Sequence, residues 1–504
     1  VFDWCRAAIT ILRISTILSP PKCPKRVGKP EIFSKKGGKS GGIRTFEEAT
    51  RMKRPLACVL ILLTLMMLTG CQQNSDQLSG SNPVTLTMWH VYGSQTESPL
   101  NILIDEFNST VGTKNGIFIS VVSVTNTTDI DAALIASANN EPGSATLPDL
   151  FTAYPRVVEK IGADRLLDWS KYLSQEEIAS YVPYFLTEGQ FGDQLLMLPI
   201  AKSTELCFVN KTIFDRFAAD TGVSIKSMVD FDALFATCNL YYDWSEGQTM
   251  FQINDFYHYF LTNTASLGGT FIVDGKIDFS GDAFQRVWSP MARAGIYGGL
   301  CVQDGYASDR WKTAEVICNV GSTAGILYLR DYVTYADNTT EDIETLILPY
   351  PAFADTDPAV VQRGSGLFAI RSTDKRKNKA AAVFARWITG GEHNVEFVTQ
   401  TGYLPVTQDG FEKLLDDTGL VENNKYRMLY DAVSEMYGEY TFCVLPRYDG
   451  ASDLQPAFEK AVKTTLNTAH EEYVRRTAAS EDAETVMAEL ETWARAEVMR
   501  LMQE

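Results

Sequence analysis

Gln194–Phe214 reads QLLMLPIAKSTELCFVNKTIF. One apolar run closes at Ile200, a polar break follows, and Glu205–Asn210 opens a second run before Lys211 and Ile213-Phe214. Strand and helix patterns alternate on both sides of this stretch. Upstream, Val84–Trp89 alternates apolar and polar residues as a strand does, and Leu100, Leu103, Ile104 and Phe107 repeat at helical spacing. Ile117–Val124 is a β-branched run, Ile130–Ala138 is helical, and Pro148–Tyr154 is a short strand entering a turn at Pro155. Downstream, Phe231–Leu240 reads as a helix, Gly268–Ile277 as a turn with short strands, and Ala324–Leu329 as an apolar strand ending at Arg330-Asp331. Gly366–Ile370 is a buried strand, Lys379–Ile388 a helix, and Val486, Leu490, Trp493 and Leu501 mark a final amphipathic helix. The alternation predicts α/β lobes with largely parallel sheets.

The 504 residues are too many for one simple core and suit two domains. Met52–Cys71 (MKRPLACVLILLTLMMLTGC) has a positive start, a short apolar run and a small-residue ending, the pattern of a secretory signal. The run is short for a membrane span. Its ending, Leu68-Thr69-Gly70-Cys71, resembles a bacterial lipobox, which implies a lipidated Cys71 as the mature N-terminus. Residues 1–51 are basic and start at Val1, and are expected to be an upstream extension foreign to the protein. Residues 52–70 are then the signal, and residues 71–83 a polar tether. Within residues 1–51, Gly38-Lys39-Ser40 matches the end of a phosphate loop but Phe33 stands where that loop needs Gly. Gly38–Gly42 fits G-x-S-x-G without its strand and helix.

Residues 1–70 hold 13 of the 45 Lys and Arg but 4 of the 63 Asp and Glu, leaving 32 basic against 59 acidic in the remainder. A surface that acidic repels phosphate backbones, so nucleic acid is not expected as a partner. His90, His258, His393 and His470 form no zinc pair, and no motif supports catalysis; no catalytic residue, metal or cofactor is expected. Cys207, Cys238, Cys301, Cys318 and Cys443 are expected as buried free thiols, with a Cys301–Cys318 bridge as the alternative.

Four phrases then carry a family resemblance. LLDWSKYL, QLLMLPIAKSTELCFVNKTIF, RGSGLFAIRSTDKRKNKAAAVFARWIT and GYLPVT occur in the order seen in extracellular solute-binding proteins of ABC importers, the sugar-binding group. The resemblance spans roughly Val84 to the C-terminus. It implies a two-lobed, type II periplasmic-binding-protein-like α/β fold with an interlobe cleft and hinge. Lobe 1 would be residues 84–201 and 352–404, and lobe 2 residues 202–351 and 405–504. It also implies a monomer at the outer face of the cell membrane, lipid-anchored, delivering a carbohydrate to permease subunits.

Ligands of open α/β sheets sit beyond the C-terminal ends of strands. The candidate contacts are therefore Trp89, His90, Tyr92 and Ser94 after the first strand, and Tyr154 after the Asp149–Ala153 strand. Lys202 and Ser203 lie at the first crossing between lobes, Tyr328 and Arg330 at the end of the Ala324 strand. Arg363 and Gly364 precede the returning strand, Tyr403 lies near the last crossing, and Arg447 and Tyr448 sit in a loop before the final helices. Trp89 is equally readable as core, His90 as a structural histidine, Gly364 as a turn, and Lys202, Arg330 and Arg363 as surface charges. Tyrosines suit a sugar's apolar face and hydroxyls together. Two cations in the cleft would favour a uronic or phosphorylated sugar. An exported carbohydrate-active enzyme and a sensor or adhesion lipoprotein are the alternative readings.

Overall fold

A computed structural model describes residues 76–92, 98–123, 127–354, 356–448 and 450–503. The signal segment, Cys71 and Ser94 lie outside the described residues. Two five-stranded sheets organise the chain. The first runs Ile117–Ser123, Val84–His90, Leu150–Ala153, Gly366–Ala369, Leu198–Pro199; the second runs Leu300–Cys301, Phe251–Ile253, Cys318–Ser322, Glu205–Asn210, Thr345–Leu348. Each is mixed rather than largely parallel. Gly366–Ala369 runs antiparallel to both its neighbours, and so does Glu205–Asn210. These reversed strands adjoin the segments that carry the chain between the sheets.

The first sheet is covered on both faces, which is why Leu150–Ala153 and Gly366–Ala369 are buried at every position. Leu86 and Met88 point to one face, where Phe107 packs edge-on against Phe384 and Trp387. Trp89, Phe151 and Phe368 point to the other, against Ile130 and Leu134 of the Thr127–Ala138 helix. Burying one such phenylalanine stabilises the fold by roughly 2 kcal/mol. The second sheet is flanked by Lys211–Thr221, Phe231–Trp244, Asp282–Tyr297 and Asn424–Tyr437, and the paired C-terminal helices Ala451–Ala478 and Ala483–Leu501 pack on Asp282–Tyr297. Residues expected as the end of the tether are held: Leu78 packs on the core, and Lys379 Nζ donates to the Asp76 carbonyl at 2.9 Å.

One local expectation changes. Ala324–Leu329 is not a strand; Thr323–Tyr328 forms a 3-10 helix whose start is capped by Ser322, its Oγ accepting from the Ala324 N–H. Short apolar runs do not distinguish the two by periodicity. The five described cysteines are free, as expected, with Cys443 only partly buried, and the alternative Cys301–Cys318 bridge is absent; the Cys207 and Cys318 sulfurs lie 3.6 Å apart between adjacent strands.

Between the sheets, three segments lie side by side. Ser203 and Arg363 exchange both backbone hydrogen bonds, at 3.0 and 2.7 Å, and Lys202 and Leu404 do the same at 3.3 and 2.6 Å. Gly364 makes this approach possible. Its φ is +100°, and a Cβ there would overlap the Ala201 carbonyl and lie 2.8 Å from Lys202 Cα.

Candidate ligand-binding site

A cavity of about 310 Å³ opens beside these segments. Tyr154 and Arg156 line it from the turn after the Leu150–Ala153 strand, Glu159 from the Val157–Ile161 helix that follows, and Glu188 from the end of the Pro183–Thr187 helix. Gln362 and Arg363 come from a crossing segment. Tyr257 and His258 come from the first turn of the Phe256–Ser266 helix, Tyr306 from the loop after the Leu300–Cys301 strand, and Arg447 and Gln455 from the approach to the long C-terminal helix.

A buried polar network supports one wall. Arg363 Nη1 donates to Glu205 Oε1 at 2.7 Å, and His258 Nδ1 approaches the same oxygen at 3.1 Å and Asp255 Oδ2 at 3.3 Å. Asp255 caps the helix, accepting from the His258 N–H at 2.9 Å, and takes Gln455 Nε2 at 2.8 Å. Burial by itself would lower the Arg363 pKa; the charge of Glu205, then Tyr154 and Asp255, reverses this and holds it above the usual guanidinium range. Glu459 accepts from the Tyr257 N–H at 2.7 Å, and burial, reinforced by Asp255, pushes its pKa up to about 8.

Beneath the cavity, Lys202 is fully buried. Its Nζ reaches Glu188 Oε2 at 2.8 Å and the Gly364 carbonyl at 3.4 Å, while Gln362 Nε2 donates to Glu188 Oε1 at 2.5 Å. Burial lowers the Lys202 pKa, and Glu188 partly restores it. Two other cations are differently placed. Arg156 pairs with Asp131 at 2.7 Å. Arg447 is exposed, lies 4.5 Å from the centre of the Phe191 ring and donates to the Glu188 carbonyl at 3.2 Å; among the described residues no carboxylate pairs with it.

A family model for bacterial extracellular solute-binding proteins matches residues 103–417. The chain belongs to that family. The sn-glycerol-3-phosphate-binding periplasmic protein UgpB of Pectobacterium atrosepticum is 22% identical over 402 residues, covering 75% of this chain and 83% of the relative. Among solved structures, UgpB of Mycobacterium tuberculosis in complex with glycerophosphocholine superposes with a TM-score of 0.60 at 16% identity, covering 83% of this chain and 99% of that one. The cyclic alpha-maltosyl-1,6-maltose binding protein of Arthrobacter globiformis gives 0.59 at 18% identity, again covering 83% and 99%. These likenesses establish the type II periplasmic-binding-protein fold.

In this solute-binding protein the residues expected from sequence are placed differently from one another. Tyr154, Arg363 and Arg447 line the cavity, and the Tyr448 hydroxyl meets that of Tyr257 at 3.0 Å. Tyr92 and Tyr328 gather around Tyr403, which lies near Arg363. The Tyr92 and Tyr403 rings are edge-on at 5.5 Å, and burial, then the proximity of Tyr92, Tyr154 and Tyr328, raises the Tyr403 pKa. Trp89, His90, Lys202 and Ser203 are buried and do not line the cavity. His90 is locked by Asn101 Oδ1 at 2.8 Å on Nε2 and by the Tyr92 N–H at 3.1 Å on Nδ1; burial lowers its pKa to about 4, so the ring is neutral. Gly364 shapes the crossing, and Arg330 is exposed away from the cavity.

Tyr257, His258, Tyr306, Glu188 and Gln362 escaped the sequence reading. Tyr257 and His258 follow the Phe251–Ile253 strand, and Tyr306 follows Leu300–Cys301. The rule that chose Tyr154 would have found all three had these short strands been recognised. Among the described residues, no cluster of His, Cys, Asp and Glu is placed to hold a metal ion, and no helix is long and apolar enough to cross a membrane.

Proposed function

We propose that this protein is the solute receptor of an ABC importer for a carbohydrate, with an anionic sugar or polyol phosphate as the preferred class. The observation that carries the reading is the cavity at the crossing segments, where tyrosines and arginines converge from both sheets. Aromatic rings cover the apolar faces of a sugar, and guanidinium groups match carboxylate or phosphate. The ligand names of the relatives, glycerol phosphate, glycerophosphocholine and a maltosyl oligosaccharide, lie within the same chemical range.

The two sheets with their helices act as lobes, 84–201 with 352–404 and 202–351 with 405–504, hinged at Lys202–Ser203, Arg363–Gly364 and Tyr403–Leu404. Ligand binds the closed form better and shifts the population toward it. The closed monomer then docks on permease subunits, tethered to the outer face of the membrane by lipid on Cys71. The site binds without catalysis. A glycosidase needs two available carboxylates, and Glu188 is already engaged by Lys202 and Gln362.

A thermal-shift screen with maltose, galacturonate, glucose 1-phosphate and sn-glycerol 3-phosphate tests the reading, because a ligand of the folded state raises the melting temperature. A rise with at least one probe, accompanied by compaction in small-angle scattering, is expected. No rise with any probe, or release of product from an oligosaccharide panel, would overturn it.

A further inference from the structure

Tyr306 lines the cavity and is 72% exposed, more than any other large hydrophobic side chain among the described residues. Among those residues its ring has no aromatic or cationic partner and its hydroxyl no hydrogen bond. The other two cavity tyrosines are engaged. Tyr257 stands edge-on to Phe271 at 5.3 Å and its hydroxyl meets that of Tyr448, while the Arg156 guanidinium lies 5.0 Å from the centre of the Tyr154 ring. A single uncovered tyrosine is ordinary on an outer surface. Tyr306 differs in lining a cavity and in being held there.

The backbone that presents it is fixed on both sides. The Gly305 carbonyl accepts from Gln252 Nε2 at 2.8 Å, and the Ala307 N–H donates to Asn254 Oδ1 at 3.0 Å. Gln252 is buried in the Phe251–Ile253 strand. Arg310 closes the loop onto that strand, donating to the Asp304 carbonyl at 2.7 Å and to Gln252 Oε1 at 3.3 Å. Ala307 and Trp311, which follow Tyr306 in a short helix, are fully buried. A ring held in place before its ligand arrives loses little further freedom when it is covered.

The shape of the ring selects what covers it. A tyrosine face is flat and apolar, and its match is the C–H face of a pyranose, whose hydroxyls stay at the rim in reach of polar groups. The three-carbon chain of a glycerol phosphate has no such face. We infer that the ligand carries a sugar ring and that Tyr306 is a specificity-determining contact, covering one face of that ring and setting the receptor against acyclic polyol phosphates. The inference rests on the proposed carbohydrate reading and narrows it.

Tyr306→Ala removes the ring, and Tyr306→Phe keeps it without the hydroxyl. Isothermal titration compares glucose 1-phosphate, galacturonate and maltose with sn-glycerol 3-phosphate. Wild type should bind at least one ring-bearing probe about tenfold or more tightly than sn-glycerol 3-phosphate. Tyr306→Ala should weaken that probe by about tenfold and Tyr306→Phe by less than about threefold. Because the side chain is exposed, the melting temperatures of both unliganded variants should match wild type. The inference alone is overturned if sn-glycerol 3-phosphate binds wild type as tightly as every ring-bearing probe, if Tyr306→Ala leaves ring binding unchanged, or if Tyr306→Phe loses as much as Tyr306→Ala. Failure of the wild-type protein to bind any probe overturns the carbohydrate reading and this inference with it.

Discussion

Glu188→Gln tests whether the crossing is held by a buried ion pair. Glu188 takes one donor on each oxygen, Lys202 Nζ at 2.8 Å and Gln362 Nε2 at 2.5 Å. An amide must turn its NH2 toward one of them, and it leaves the Lys202 ammonium without an opposite charge. At this separation an effective dielectric of about 20 gives a gross attraction of roughly 6 kcal/mol. Relaxation reduces the net loss on removing one partner to about 3–5 kcal/mol. In a chain of this length, at about 2.1 cal/mol/K per residue, a loss of that size lowers the melting temperature by roughly 3–6 °C. The pH dependence has a definite sign. Burial already holds the Lys202 pKa below its ordinary value, and losing Glu188 lowers it further. The unfolded chain then binds a proton that the folded variant does not, so the variant gains stability as pH rises toward the free lysine value. Calorimetry from pH 6 to 10 should show a deficit that is largest at the acid end and narrows with pH. A variant within 1 kcal/mol of wild type, or a deficit that widens with pH, would refute the reasoning.

Gly364→Ala should lower the denaturant midpoint by the equivalent of at least about 2 kcal/mol, since alanine at φ +100° would also overlap the Ala201 carbonyl; an unchanged midpoint would show that the crossing has room to open. Glu459 has a folded pKa of about 8, above its ordinary value, so the stability it contributes is complete below pH 4.5 and disappears as pH rises through 8. Glu459→Gln should therefore improve relative to wild type between pH 5 and 9 in the same calorimetry, and a difference that stays flat would contradict the raised pKa.

The parts of the site legible in the sequence share a physical signature. Arg363 and Tyr154 adjoin short strands whose every residue is buried, so their ends stand out as breaks in apolar runs. Phe251–Ile253 is three residues long with Gln252 at its centre, and Leu300–Cys301 is two. Neither has the length over which alternation is measured, so nothing in the sequence marks Tyr257, His258 and Tyr306 as lying at a strand end. The sheets were misjudged for a related reason. Apolar, β-branched runs report burial on both faces, but direction is set by the crossings, and Gly366–Ala369 and Glu205–Asn210 reverse because they lie next to one.

Lys202 shows where sequence reading stops and packing begins. Its position between two apolar runs marks the crossing correctly, and a cation at a crossing is a reasonable ligand contact. Whether it faces the cavity or lies under it depends on Glu188, fourteen residues away, and on Gln362 and Gly364 in another crossing segment. The polar atoms of one segment are satisfied by the next, so the crossing is tied together by the same groups that form the cavity floor. Glu188 lines the cavity on one side and holds Lys202 on the other. A ligand that displaced its contacts would loosen the crossing, whereas one that reached Arg447 and His258 would leave it intact. Glu188 is thus shared by the crossing and the cavity, whereas the Arg447 and His258 side chains take no part in the Glu188–Lys202 pair and can be perturbed without removing it.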